Sequence, residues 1–357
     1  MKQNIIVLLG GRSSEHEVSL RSGLSVTAHI DTDKFQVMPV AVAKDGRWLL
    51  TKDCGSEGLV DHVLNHKKIA LAQNLSEVSL TGGELVGGEL ANGVKIDCVF
   101  STLHGTYGED GAMQGFLELA QVPFVGSGSA ASAIAMDKDF TKILTESVGV
   151  STAPWVTVFA QDKWPSYDEV KGKLGEVLFI KPARQGSSVG ISKVKQHEDY
   201  KKALEFAFKY DDKIVIEQAI VGREIELAVL GNSDLTISHP GEILPDGEFY
   251  TYESKYVTDG TKLVLKADLS PELVKGLQET AGKLYKAMGL AGLSRMDFFV
   301  TQDNKIWFNE PNTLPGFTSI SMYPKMMGET GIAYTELISR LIQLGIDRFE
   351  REKIFKG

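Results

Sequence analysis

Apolar runs and helical repeats alternate along the first third of the chain. Ile5–Leu9 is an unbroken apolar run closed by Gly10-Gly11, which predicts a buried strand. SLRSGLSVTAHI (19–30) predicts a helix, FQVMPVAVA (35–43) a second strand, DCVFSTLHG (97–105) a third and GAMQGFLELA (111–120) a second helix. This alternation implies a parallel sheet with helices packed on it. Between Lys44 and Lys95 lies a polar, Gly-rich excursion with two copies of GGEL, too short for a structural repeat and expected as hairpin or loop decoration. VPFVGSGSAASAIAMDK (122–138) predicts a strand, a glycine turn and a helix that runs on through residue 148. In that helix Phe140, Ile143, Leu144 and Val148 share one face, and Gly149 supplies the stop.

The pattern then changes to paired strands: APWVTVF, EVLFIKPA, GISKV, IVIEQAI and REIELAVL, with the amphipathic helix DYKKALEFAFKY among them. After a long loop, PDGEFYTYESKYVTDGTK (245–262), Leu273, Leu277, Leu284 and Met288 recur at helical spacing. Ser270 is placed to cap that helix, Pro271 suits its first turn and Gly289 its end. A strand hairpin, SRMDFFVTQDNKIWFNEPNT (294–313), and a C-terminal helix from about Tyr334 to Leu344 complete the outline. The expected fold class is α/β in three domains: an N-terminal parallel α/β domain over 1–125, then central (126–220) and C-terminal (221–357) α+β domains.

Composition narrows the function. The 357 residues are 43% hydrophobic and 24% charged, an ordinary globular balance with material for more than one core. A net charge of -9 argues against nucleic acid as the main partner, since phosphate backbones need a basic face. Two cysteines, Cys54 and Cys98, cannot make a disulfide framework or, alone, a structural zinc site. The five-residue apolar run near the N-terminus is shorter than a signal-peptide core or a membrane span. The expectation is a soluble cytoplasmic protein with no membrane partner.

Three glycine stretches compete for a phosphate. Gly10-Gly11 joins a strand to a helix but lacks the Gly-Lys-Ser/Thr of a Walker loop. Glu15 beyond it favours the helix dipole or meets a substrate ammonium. Gly126–Ala131 fits a weak dinucleotide fingerprint without the acidic residue at the end of the next strand, which discounts a dehydrogenase. KPARQGSSVGISKV (181–194) lies between two strands, with charge from Lys181 and Arg184, freedom from Gly186 and Gly190, and hydroxyls from Ser187 and Ser188. Such a hairpin can close over a phosphate chain or serve as an ordinary basic turn.

The hairpin at 294–313 decides between these. A four-residue connection, Gln302 to Lys305, would pair Thr301 with Ile306 and set Asp297 opposite Glu310. Two ionised carboxylates about 5 Å apart repel by about 3 kcal/mol at an effective dielectric near 20. Glu310 and Asn312 share a face by the two-residue period, beside Arg295. The acids either form an ion-pair network with Arg295 or, with the Asn312 amide, a hard-cation ligand set of the kind that shares magnesium with phosphate. With the basic glycine hairpin upstream, the economical reading is Mg-ATP. His16 and His104 lack zinc-site clustering; His104 is a substrate-pocket residue or a helix cap.

GGRSSEHEVSL, LHGTYGEDG, AMDK, KPARQGSSVGISKV, EQAIVGREIE, YESKY, SRMDFF and NEPNTLPGFTSIS, in this order, resemble the D-alanine–D-alanine ligases of the ATP-grasp superfamily over essentially the full length. The resemblance implies ligation of two D-alanines with cleavage of ATP, through a D-alanyl phosphate, in a homodimer. It implies two magnesium ions, for which manganese could substitute, on Asp297, Glu310 and Asn312. It places Lys138, Lys181, Ser187, Ser188 and Lys255 around the ATP phosphates. Glu217, Gln218, Ala219, Ile220 and Glu224 would surround adenine and ribose. Glu15 and His104 would meet the first D-alanine, Arg295 and the Gly316 N–H the developing oxyanion, and Ser321 and Met322 the second D-alanine. Ser187 and Tyr256, with Glu15, would tie a mobile loop over the closed site, and the intact YESKY favours an amine nucleophile over D-lactate.

Overall fold

The computed structural model describes residues 1–51, 55–63, 68–90, 92–244 and 262–356. Its N-terminal sheet is built on β1 (Gln3–Gly10), which runs parallel to β2 (Phe35–Val42) and to β9 (Cys98–Ser101). β3 (Trp48–Leu50), β6 (Ser76–Thr81), β7 (Glu84–Gly87) and β8 (Val94–Lys95) extend it antiparallel, in the order β8-β7-β6-β3-β2-β1-β9. Much of the 44–95 excursion is therefore sheet, and β4 (Val60–Val63) with β5 (Lys68–Leu71) forms a separate hairpin. The strand expected at 122–125 is reduced to one parallel bridge, Val99 to Phe124. Helix α1 (His16–His29) lies on β1, and α2 (Ala112–Leu119) follows β9.

The expected single helix from 129 to 148 is two helices, α3 (Ser129–Met136) and α4 (Lys138–Ser147). Asp137 breaks it: its backbone is extended, and its carboxylate accepts from the amides of Asp139 (3.1 Å) and Phe140 (3.3 Å) as an N-cap. The amide of Lys138 donates instead to Ala183 O at 3.0 Å. The new helix start also corrects the expected apolar face. Phe140 and Ile143 are 53% and 52% exposed, and α4 buries Asp139, Thr141, Lys142 and Thr145. Leu144 and Val148 do pack on a core.

The central sheet is antiparallel, ordered β10-β13-β11-β12, with β10 (Trp155–Phe159), β11 (Leu178–Pro182), β12 (Ser192–Val194) and β13 (Lys213–Gln218). Helices α5 (Tyr167–Leu174) and α6 (His197–Ala207) cover one face, where Val170, Leu174, Tyr200 and Leu204 pack on Leu178, Ile180, Ile214 and Ile216. By the two-residue period, Phe179, Lys181 and Glu217 project from the other face.

The C-terminal sheet runs β17-β16-β14-β18-β19 from β14 (Arg223–Gly231), β16 (Gly241–Leu244), β17 (Lys262–Val264), β18 (Gly292–Val300) and β19 (Ile306–Asn312); β15 (Thr236–Ile237) pairs with β14. Helix α7 (Pro271–Ala287) is capped by Ser270, which accepts from the Leu273 amide, and Gly289 beyond its end takes φ +66°. Its Leu277, Ala281, Leu284 and Tyr285 pack on Ile225, Leu227, Val229, Met296, Phe298 and Phe308. Helices α8 (Met322–Glu329) and α9 (Tyr334–Lys356) join the C-terminal and N-terminal sheets through a core that includes Val7, Phe100, Ala228, Leu293, Tyr323 and Leu341. α9 continues twelve residues past the expected end at Leu344. Within it, a Cβ at Gly345 would lie 2.6 Å from Phe124 O, so glycine permits the helix to press against the N-terminal sheet.

The hairpin of β18 and β19 differs from expectation at one end and agrees at the other. Val300, not Thr301, pairs with Ile306, so the connection has one residue more than expected. The register then shifts between Asp297 and Phe298, with Asn309 the extra residue, and Asp297 faces Glu310. The bulge solves a parity problem. Phe308 and Glu310 are two residues apart and in a regular strand would share a face, yet Phe308 is core and Glu310 lines a cleft.

Candidate active site

A cleft lies between the exposed faces of the central and C-terminal sheets. One cavity of about 860 Å³ is lined by Lys138, Phe179, Lys181, Ser187, Ser188, Glu217, Gln218, Ala219, Ile220, Glu224, Asn309 and Glu310. A second, of about 670 Å³, is lined by Glu15, His104, Lys138, Ser187, Glu226, Arg295, Glu310, Asn312, Gly316, Ser321 and Met322. Lys138, Gln185, Gly186, Ser187, Ile243 and Glu310 border both, so the two cavities meet at the glycine hairpin. A separate cavity of about 780 Å³ beside α3, α7 and α9 contains none of the expected site residues.

In the first cavity Lys181 Nζ donates to Glu217 Oε2 at 2.7 Å. Lys142 Nζ stands 3.4 Å from Glu217 Oε1 and donates to Thr152 Oγ1 (3.1 Å) and Ala153 O (3.0 Å). Burial would raise the Glu217 carboxyl, but Lys142, Lys181 and Lys138 outweigh it and hold it down at about 2. Lys181 is likewise shifted upward: burial opposes its charge, and Glu217 and Glu310 overcome that. For Lys142 burial wins and its ammonium is shifted downward, with Glu217 offsetting only part. Glu217 is therefore a buried charge bridge in the wall of this cavity.

Lys138 sits at the first position of α4, where its Nζ donates to Gln185 O (2.7 Å) and lies 3.8 Å from Glu310 Oε2. Its backbone is fixed from behind. Lys213 Nζ bridges Asp137 (3.0 Å) and Asp139 (2.8 Å), and Asp139 also accepts from Trp155 Nε1 (2.8 Å) and Thr157 Oγ1 (2.6 Å). Arg184 does not offer its charge to the cleft as expected; it pairs with Asp211 and Asp212 at the base of the hairpin.

At the tip of that hairpin Ser187 and Ser188 take φ of 50° and 60°, a conformation uncommon for serine and frequent where strain serves a site. Ser187 Oγ donates to Glu15 Oε1. Glu15 occupies the N-cap position of α1 without capping it, and its carboxylate is buried. Gly105 passes it closely: a Cβ would lie 2.8 Å from Glu15 Oε2, and φ there is +72°. His104 is buried, with Nδ1 on Leu314 O (2.9 Å), Nε2 near Ser22 Oγ (3.1 Å) and Glu109 Oε1 at 3.7 Å. Burial opposes its protonation, but Glu109 and Glu15 raise it overall. His104 is thus a buried group behind Glu15, and the α1 side of the cavity carries Arg21 and Ser22 as well.

Three acids form a row across three strands: Glu226 pairs with Asp297, and Asp297 with Glu310. Arg295 spans two of them. Its Nε donates to Asp297 Oδ1 (2.8 Å), its Nη2 to Asp297 Oδ2 (2.6 Å), and Nε lies 3.0 Å from Glu226 Oε1. Burial works against this guanidinium, yet Asp297, Glu226 and Glu310 drive its pKa well upward. Both sequence readings of the hairpin thus have a counterpart: an Arg-centred ion pair, and carboxylates with an amide on one face. Among the described residues no three His, Cys, Asp or Glu side chains are arranged to hold a metal by themselves. Two carboxylates plus the Asn312 amide fit a hard divalent cation that completes its shell with water and phosphate. Gly316 and Ser321 face each other in the second cavity, where Ser321 Oγ accepts from the Thr318 amide at 3.1 Å. Met322 joins the apolar core at the cavity wall. Lys255 and Tyr256 lie outside the described residues.

Glu226, Lys142 and Lys213 escaped the sequence reading. Acids two apart in REIELAVL carried a signal for Glu226. The lysines carried none, because a lysine on an amphipathic helix or at a strand start reads as solvated.

An antiparallel pair of sheets facing across a cationic cleft, closed by a glycine hairpin and floored by carboxylates, defines an ATP-grasp ligase. A family profile described as "D-ala D-ala ligase N-terminus" matches residues 4–127, and one described as "D-ala D-ala ligase C-terminus" matches 144–343. The chain is 43% identical to a D-alanine–D-alanine ligase of Oceanobacillus iheyensis over 100% of this chain and 99% of that one. It is 41% identical to D-alanine–D-alanine ligase A of Escherichia coli, over 99% of each. The D-alanine–D-alanine ligase of Coxiella burnetii superposes with TM-score 0.86 at 35% identity, over 99% of this chain and 97% of that one. The VanG D-Ala:D-Ser ligase of Enterococcus faecalis superposes with TM-score 0.85 at 36% identity, over 97% and 100%. The chain belongs to the D-alanine–D-alanine ligase family.

Proposed function

We infer that this chain joins two D-alanines at the expense of ATP, for peptidoglycan precursor synthesis. The observation that carries this is the continuous cleft in which a lysine-lined cavity meets, at the Ser187 hairpin, a second cavity lined by Glu15, Arg295 and Ser321. A carboxylate is a poor acyl donor, and phosphorylation gives it a leaving group. Lys138 and Lys181 would hold the triphosphate, with Lys255 at its γ-phosphate. Gln218, Ala219, Ile220 and Glu224 would form the adenine and ribose wall with Glu217 beneath them, and Ser188 would reach the phosphates. Asp297, Glu310 and Asn312 would hold magnesium, or manganese in its place; when bound, the ion neutralises charge on the phosphate oxygens.

Glu15 would receive the ammonium of the first D-alanine, with His104 behind it. Arg295 and the Gly316 N–H would stabilise the oxyanion as the second amine attacks, and Ser321 would bind the second carboxylate beside Met322. The Ser187–Glu15 contact supports hairpin closure over the first amino acid, with Tyr256 completing it, which would shield the acyl phosphate from water. The three sheets support a division at about 125 and 220, and the family reading implies a cytoplasmic homodimer. Among the described residues no helix is long and apolar enough to cross a membrane.

The test is phosphate release with ATP, magnesium and D-alanine, against L-alanine, D-lactate and D-serine as second substrate. D-alanine alone should give full turnover. Faster turnover with D-serine as acceptor would favour a D-alanine–D-serine ligase, the reading that similarity to the VanG enzyme supports. No release by the folded protein would remove the activity.

A further inference from the structure

The buried ammonium of Lys142 is used by none of the roles above. It is 3% exposed, on the polar inner face of α4, one turn after Lys138. Three of its neighbours are fixed: Thr152 Oγ1 and Ala153 O accept from it, and Glu217 Oε1 stands 3.4 Å away. Glu217 meanwhile holds Lys181 at 2.7 Å through its other oxygen. One carboxylate is thus shared by two lysines, one that reaches the cleft and one that does not. A buried lysine is costly unless its charge has a task or a partner. Here the charge partner is the residue that restrains Lys181.

We propose that Lys142 is a positioning residue for nucleotide binding: by sharing Glu217 it keeps Lys181 from closing into an exclusive ion pair, so that Lys181 can turn to a triphosphate. The proposal rests on the cleft being the ATP site. The electrostatics around Glu217 support the direction. The charges that hold Glu217 ionised are those of Lys142, Lys181 and Lys138, so withdrawing one tightens the hold of the others on it. Lys181 is the nearest and, among the described residues, becomes the sole direct ion-pair partner when Lys142 is neutralised. The neighbouring anchors are independent of this bridge. Lys138 is fixed to Gln185 O, and Lys213 to Asp137 and Asp139. The effect should therefore fall on the nucleotide and spare the amino acids bound beyond Glu15 and Arg295.

The experiment compares wild type, Lys142→Met, Glu217→Gln and the double variant, by steady-state kinetics in both substrates and by calorimetric ADP binding. Lys142→Met should raise KM for ATP and weaken ADP binding by roughly tenfold, the scale of one charged hydrogen bond. KM for D-alanine should stay within about twofold, since that site is not in contact with the bridge. Adding Glu217→Gln should restore most of the lost affinity, because Lys181 is then released. A merely structural lysine would instead lower stability and turnover, move both KM values alike, and leave the double variant no better than the single; that pattern overturns the proposal. Should Lys142→Met not fold alone, Glu217→Gln is compared with the double variant. Near-equal ADP affinity is expected, and a further severalfold loss would overturn the idea. Absence of D-alanine-dependent phosphate release by wild type would defeat the ligase reading instead, with ADP binding still deciding the role of Lys142.

Discussion

Replacing Glu217 by glutamine separates the acid's titration from its shape. Burial alone would raise this carboxyl, but the three lysines around it hold it at about 2 against 4.5 for the free group. At 1.36 kcal/mol per unit, that difference amounts to about 3 kcal/mol of folding free energy at neutral pH. Because the folded pKa is depressed, this contribution is fully present above pH 4.5 and is lost as the pH falls towards 2. The linkage relation assigns about 2 kcal/mol of that loss to the interval between pH 5 and pH 3. Glutamine cannot titrate, so the variant lacks this slope. Urea unfolding of both proteins at pH 5, 4 and 3 measures it, and tryptophan fluorescence is a local probe because Lys142 Nζ lies 5.6 Å from the Trp155 ring centroid. The stability gap between wild type and variant should shrink by about 2 kcal/mol across the interval. A gap that stays constant with pH would mean that the lysines do not hold Glu217 ionised, and the charge-bridge account would fail with it.

Two further outcomes follow from the charges in and behind the cleft. Glu310→Gln should weaken the apparent magnesium requirement and lower turnover by at least about tenfold without unfolding the protein. Unchanged turnover with a more stable fold would reduce the acid row to an Arg295-centred ion-pair network. Lys213→Met should cost about 3–5 kcal/mol in chemical denaturation, because it leaves the Asp137 and Asp139 carboxylates facing each other without their cation. A loss under about 1 kcal/mol would show that the amide, Trp155 and Thr157 contacts alone satisfy those acids.

The alternation of elements was legible because period and punctuation agree. Ser270, Pro271 and Gly289 marked both ends of α7, and the strands of the central sheet lay where apolar runs placed them. Where a residue has two local uses, sequence alone chose wrongly. Asp137 fits a helical repeat, but its carboxylate is worth more as a cap, and the break rotates α4 until its polar face is the buried one.

The β18–β19 hairpin shows how a right site can follow from a wrong register. The expected Thr301–Ile306 pair does not form, yet Asp297 still faces Glu310, because the error in the turn and the Asn309 bulge each shift the pairing by one and cancel. What the sequence exposed was the chemistry's demand: two acids and an amide on one face beside an arginine. Phe308 and Glu310 cannot both be satisfied by a regular strand, and the bulge between them turns one into the core and the other into the cleft. Glu226 completes the acid row only once β14 is known to pair with β18, a contact about 70 residues apart along the chain that no local pattern encodes. Lys142 lies beyond even that reach. On its helix it is indistinguishable from a solvated lysine, and only the approach of a second sheet, bringing Glu217 to it, turns the same side chain into a buried support behind the cleft.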